Sequence, residues 1–127
     1  MKLAHVALWT RDLDAAATFW KTYFNAVVGE EYHSKRRAGF VSRFVSLPGA
    51  EAQIELMTGP WIEEWWYGEG GGWDHIAVSL GDAAAVDNLS ARCKADGILI
   101  SGPRTTGDGF YEAVIAMPDG TRVEITS

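Results

Sequence analysis

Four residues of this 127-residue chain have the types and spacing to do chemistry: His5, Glu55, His75 and Glu124. Each histidine is followed by its glutamate at nearly the same interval, 50 residues for the first pair and 49 for the second. Imidazole nitrogens and carboxylate oxygens suit a divalent transition ion. Four such donors leave two places free in an octahedral shell, the open room a catalytic metal needs, whereas closed four-coordinate sites tend to be structural. Nickel, zinc, cobalt, manganese and iron all accept this ligand set. Taken singly, a histidine or glutamate on a strand is more often a satisfied core or edge residue than a ligand. The third histidine, His33, has no counterpart and sits in a charged stretch, so it reads as surface.

The four candidates gain weight because the chain repeats itself. His5-Val6-Ala7-Leu8 matches His75-Ile76-Ala77-Val78, and seven residues after each histidine stands an aspartate, Asp12 or Asp82. Alanine-rich segments follow both. Gln53-Ile54-Glu55-Leu56-Met57-Thr58 matches Arg122-Val123-Glu124-Ile125-Thr126. The length fits one domain over 1–127, built from a module at about 1–58, a connector at about 59–72 and a module at about 73–127. Four aromatics lie in the middle of that connector. Trp61, Trp65 and Trp66 either pack across the joint or form a lid, a pocket wall or a subunit interface.

The elements that must position these residues follow from periodicity. An apolar, β-prone run predicts a strand over 3–10. Leu13, Ala16, Ala17, Trp20 and Phe24 recur at helical spacing behind Asp12 as N-cap. Strands are predicted over 27–32, 39–47 and 52–58. The second module repeats this order: strand 74–80, helix 82–96 stopped by Gly97, then strands near 98–101, 111–117 and 121–126, the last two joined by an Asp119-Gly120 turn. The pattern is βαβββ twice, an α+β fold. Strand side chains alternate faces. Ile54 and Leu56, like Val123 and Ile125, form the apolar set under the helices, so Glu55 and Glu124 point to the opposite face. His5 shares its face with Ala7 and Trp9; His75 shares its face with Trp73, Ala77 and Ser79.

Composition excludes several classes. The formal charge is −6, and all of it arises in the second half: residues 1–63 carry seven acids and seven bases, residues 64–127 ten acids and four bases. No basic face is present to neutralise nucleic-acid phosphates. The short run Lys35-Arg36-Arg37 reads as a solvated loop that could meet a substrate carboxylate. One cysteine, Cys93, cannot form an internal disulfide, and neither a signal-like nor a membrane-length apolar run is present. The expectation is a cytoplasmic protein acting on a small molecule, with no nucleic-acid or membrane partner.

With these residues in place, the chain resembles the vicinal-oxygen-chelate superfamily, and within it glyoxalase I-like (lactoylglutathione lyase-like) proteins. The resemblance covers essentially the whole chain. It rests on His5-Val6-Ala7-Leu8, Ile54-Glu55-Leu56, Asp74-His75-Ile76-Ala77-Val78 and, most distinctively, Pro118-Asp119-Gly120-Thr121-Arg122-Val123-Glu124-Ile125. It implies two βαβββ modules curled into a U-shaped mixed sheet around a divalent metal, with His5, Glu55, His75 and Glu124 as ligands. It also implies a homodimer whose sites are shared between subunits. The implied reaction isomerises the hemithioacetal of a 2-oxoaldehyde, with Glu124 as general base and Glu55 as its partner.

Two places depart from the glutathione-using pattern. Where those proteins carry an arginine four residues after the first histidine, this chain has Trp9. The asparagine they carry just beyond the first glutamate is missing from Met57-Thr58-Gly59-Pro60-Trp61. Trp cannot replace a bidentate clamp, so Trp9→Arg is expected to help glutathione substrates. Trp9 and Met57 then read as apolar substrate-contacting residues, and Arg104 as either a replacement anion contact or a solvated loop residue. The rivals are an extradiol dioxygenase, an epimerase or a fosfomycin-modifying thiol transferase, against all of which Glu55 argues, and a bleomycin-type drug-binding protein, which the tryptophans fit.

Overall fold

The computed structural model describes residues 1–63 and 71–127. The chain forms two compact units, Met1–Trp65 and Trp66–Ser127. The fold is α+β, with the βαβββ order in each unit. Trp65 and Trp66 of the expected connector lie outside the described residues.

In the first unit, β1 (His5–Trp9) leads into α1 (Leu13–Phe24). Asp12 caps the helix by accepting from Ala15 N at 2.9 Å, which satisfies one of the orphan amides of the first turn. Asn25 ends it in the left-handed region at φ 51°, with Ala26 N donating back to Trp20 O. The predicted stripe is the buried one: Leu13, Ala16, Ala17, Trp20 and Phe24 pack with Phe19 against the sheet. The sheet runs β1-β5-β4-β2, with β4 at Val41–Ser46 and β5 at Gln53–Thr58.

The strand predicted over 27–32 is two short pieces, β2 (Val27–Val28) and β3 (Tyr32–His33), both antiparallel to β4. Val28 pairs with Val45 but Tyr32 with Ser42, so the intervening stretch holds one residue more than its partner. Such an extra residue breaks a ladder locally.

The second unit repeats the plan. β6 (His75–Ser79) precedes α2 (Ala83–Ala95), capped by Asp82 on Ala85 N and stopped at Gly97, φ 75°. Its sheet is β6-β9-β8-β7, with β7 at Leu99–Thr105, β8 at Tyr111–Ala116 and β9 at Arg122–Thr126. The Asp119-Gly120 turn closes β8 onto β9, with Met117 N donating to Thr121 O at 2.9 Å.

β7 runs past the predicted end at 101. Gly102-Pro103 looks like a breaker, but β7 is an edge strand, where a missing amide is tolerated. A Cβ on Gly102 would lie 2.7 Å from Glu112 O, so only glycine permits this close approach to β8. Arg104 therefore sits in a strand opposite Glu112, not in a loop.

Each helix covers one sheet face. Val45, Ile54, Leu56, Val123 and Ile125 are buried beneath the helices. The opposite faces stay open, and they carry the candidate residues.

Candidate functional site

On the first unit's open face, β1 and β5 run parallel with His5 level with Gln53, Ala7 with Glu55 and Trp9 with Met57. Phe44 on β4 lies opposite Glu55. The register brings His5 Nε2 to 3.8 Å from Glu55 Oε2. The His5 ring meets Phe44 edge-on, with centroids 5.5 Å apart. Gln53 donates to Ser46 Oγ at 2.8 Å and so stiffens the same face. The Glu55 side chain keeps only 17% of its exposure, although its neighbours are an alanine and a phenylalanine. A carboxylate so withdrawn from water calls for a cation.

The second unit repeats the register: His75 is level with Arg122, Ala77 with Glu124 and Ser79 with Thr126. His75 Nε2 lies 3.3 Å from Glu124 Oε2, and the Glu124 side chain is 16% exposed. His75 Nδ1 is 2.9 Å from Asp74 Oδ2. A carboxylate can only accept, so Nδ1 is the donor in this contact. Arg122 Nη1 donates to Asp74 Oδ1 at 3.0 Å and holds the aspartate in place. These two contacts, the one from His75 first, hold the Asp74 carboxyl below its usual range. Trp73, expected on this face, precedes β6 and is 91% exposed.

Sequence reasoning missed Glu112. It lies on β8 opposite Thr126, at the place Ser42 takes opposite Met57 in the first unit. The Glu112 side chain is 12% exposed and faces Arg104 Nη2 at 3.7 Å. Burial pushes the Glu124 carboxyl above its usual range, and the charge of Glu112 pushes it further. Strand alternation from Glu124 through the β8–β9 pairing puts Glu112 on the same face, but the first copy has serine there, so the internal repeat gives no signal for it. Arg104, read as a candidate substrate contact, faces this carboxylate.

The other end of the first unit's open face is aromatic. Trp9 meets Phe40 edge-on at 5.9 Å and Trp61 at 6.2 Å. Arg37 lies over Trp61, with Cζ 3.8 Å from the ring centroid, and 5.5 Å from that of Trp9.

His5 and Glu55 are thus brought together, as are His75 and Glu124, one pair in each unit. Among the described residues no group of three or more His, Cys, Asp and Glu side chains is gathered in a metal-ready arrangement.

The family model for the Glyoxalase/Bleomycin resistance protein/Dioxygenase superfamily matches residues 2–125. The chain belongs to that superfamily. An uncharacterized protein of Pseudomonas aeruginosa is 29% identical over 111 residues, 80% of this chain and 70% of that protein. A glyoxylase/bleomycin resistance protein/dioxygenase domain from a Frankia species superposes with a TM-score of 0.85 at 17% identity, over 99% of this chain and 96% of that one. The trypanothione-dependent glyoxalase I of Leishmania major superposes with a TM-score of 0.77 at 20% identity, over 100% and 86%. A fosfomycin resistance protein of Listeria monocytogenes, solved with Mn(II) and a dihydroxypropylphosphonic acid, does so with a TM-score of 0.72 at 23% identity, over 98% and 90%. At these identities the solved structures share the fold of the superfamily with this chain. No described helix is long and apolar enough to cross a membrane.

Proposed function

We propose that this superfamily member is a metal-dependent isomerase of the glyoxalase I type. Its substrate is the hemithioacetal of a 2-oxoaldehyde or a related vicinal-oxygen compound. The observation that carries this reading is the duplicated His–Glu pair, once on each open sheet face. Imidazole nitrogen and half-buried carboxylate fit a nickel- or zinc-like ion, and His75 is already oriented by Asp74 as metal-bound histidines are. His5, Glu55, His75 and Glu124 would hold the ion. When bound, the metal polarises the substrate carbonyl and acidifies the adjacent C–H.

The protein's own residues handle the proton. Glu124 removes it from the carbon bearing the thiol sulfur and returns it to the former carbonyl carbon, while the hydroxyl proton passes from the first oxygen to the second, giving a 2-hydroxy thioester with no net oxidation. A carboxylate whose proton affinity is raised by burial and by Glu112 is a better base near neutral pH than a solvated one. Glu55 is the second carboxylate of the set.

The test is metal analysis of the purified protein, followed by methylglyoxal turnover with several thiols on each reconstituted metal form. His75→Ala should lower bound metal, and unchanged stoichiometry would remove the ligand set. Glu124→Gln should abolish turnover with the fold intact; retained turnover removes it as base. The cluster of Trp9, Phe40 and Trp61 favours a second reading, drug sequestration in an aromatic cleft. A metal-free protein that binds flat aromatic drugs would establish that reading in place of the first.

A further inference from the structure

Arg37 stands in a loop that is built rather than loose. Ser34 N donates to Phe40 O at 3.1 Å and Phe40 N to Arg37 O at 3.0 Å. Ser34 Oγ accepts from the amides of Arg36 and Arg37 at 3.2 and 3.0 Å. Gly39 has φ 84°, and a Cβ there would lie 2.7 Å from Pro60 Cδ, so glycine lets the loop settle on the 59–61 segment. On that segment the Trp61 ring covers Gly59, where a Cβ would come within 2.4 Å of the indole. The guanidinium of Arg37 rests on the same indole.

This cluster shares the face that carries His5 and Glu55. Trp9 is two residues along β1 from Ala7, which is level with Glu55, and four from His5. At about 3.3 Å per residue, those separations are roughly 7 and 13 Å. Arg43, Arg104 and Arg122 each lie within 4.0 Å of a carboxylate. Among the described residues Arg37 makes no such ion pair. A guanidinium stacked on a ring spends its flat face on the indole, and its in-plane N–H groups remain to fork onto an oxyanion. Its charge is permanent.

We propose that Arg37, stacked on Trp61 beside Trp9, is an oxyanion clamp that takes a carboxylate or phosphonate on the distal end of an elongated substrate. The inference rests on the proposed function only in assigning that face to substrate. It accounts for position 9 being Trp: the cation is supplied from the loop, and Trp9 helps to shelve it.

The test is calorimetric titration of the full chain with 4-phenylbutyrate, 3-phenylpropylphosphonate and the uncharged 4-phenylbutyramide. The wild type should bind at least one of the two anions about tenfold or more tighter than the amide, in line with a charge-assisted pair. Arg37→Gln should erase that preference and leave metal content unchanged, because Arg37 belongs to neither His–Glu pair. Arg37→Lys should restore only part of it, since the point charge lacks the planar fork. An anion preference that survives Arg37→Gln, or is absent from the wild type, overturns the proposal. Metal content read on the same samples separates the two readings: a protein that prefers the anion but neither loads metal nor turns over methylglyoxal keeps the clamp and loses the isomerase.

Discussion

Asp74 accepts a hydrogen bond from His75 Nδ1 at 2.9 Å, whereas His5, at the matching place in the first unit, follows Ala4 and has no acid before it. The two histidines are therefore supported differently. Asp74→Asn should weaken metal binding about 10- to 100-fold, the usual effect of losing such an orienting partner, while Ala4→Asp should not weaken it. Competition with a coloured chelator measures both. The lowered Asp74 carboxyl also adds stability above its unfolded pKa that is lost as pH falls through the lower folded value. The Asn variant should accordingly unfold with less acid sensitivity on the low-pH limb.

Burial raises the proton affinity of Glu124, and the charge of Glu112 raises it further. Replacing Glu112 with Gln removes a like charge, so the Glu124 carboxyl should titrate at lower pH in an NMR titration of the metal-free protein. The sign for stability follows. A carboxyl raised in the folded state costs stability as pH rises through its unfolded and folded values. Glu112→Gln relieves that cost, and the protein should lose less stability across that window. An unmoved Glu124 titration would leave burial as the whole cause.

Trp9→Arg looks, from the sequence, like the restoration of a glutathione contact. The surroundings of Trp9 lead to a different expectation. Trp9 is engaged by Phe40, Trp61 and Arg37, and an arginine there would set a second guanidinium against the first. The variant should lose roughly 1–3 kcal/mol of stability, as expected for breaking an aromatic cluster and juxtaposing like charges. It should also gain nothing in KM for glutathione adducts. Urea denaturation and steady-state kinetics read the two effects.

Cys93 lies on the buried face of α2, and burial pushes its thiol from 9.0 to about 11. Iodoacetamide at pH 7.5 should modify the native protein at least about 100-fold more slowly than the unfolded chain, since the thiolate is the reactive form. Stability should fall as pH rises from 9.0 toward about 11, because there the unfolded chain gives up the thiol proton first.

The sheet faces were legible because alternation and the internal repeat reinforce each other. Ile54 and Leu56 mark the buried side of β5, and Val123 and Ile125 mark that of β9, so the two glutamates could be placed opposite without coordinates. The helix starts were legible in Asp12 and Asp82. What escaped was whatever the two copies do not share. Glu112 stands where the first copy has Ser42, and Arg37 reaches Trp61 across 24 residues, a contact between loops that no period encodes. The extension of β7 through Gly102-Pro103 escaped because a local breaker signal was overruled by an edge position.

The duplication has a consequence for how such a chain can change over time. Its two copies hold the same His–Glu pair but differ beside it: Arg37 and its tryptophans lie next to the first, Asp74 and Glu112 next to the second. Under the proposed function, an alteration in the loop of the first copy would change which molecules are accepted and leave the carboxylates beside His75 in place. Selection could then act on the groups beside one pair without disturbing those beside the other.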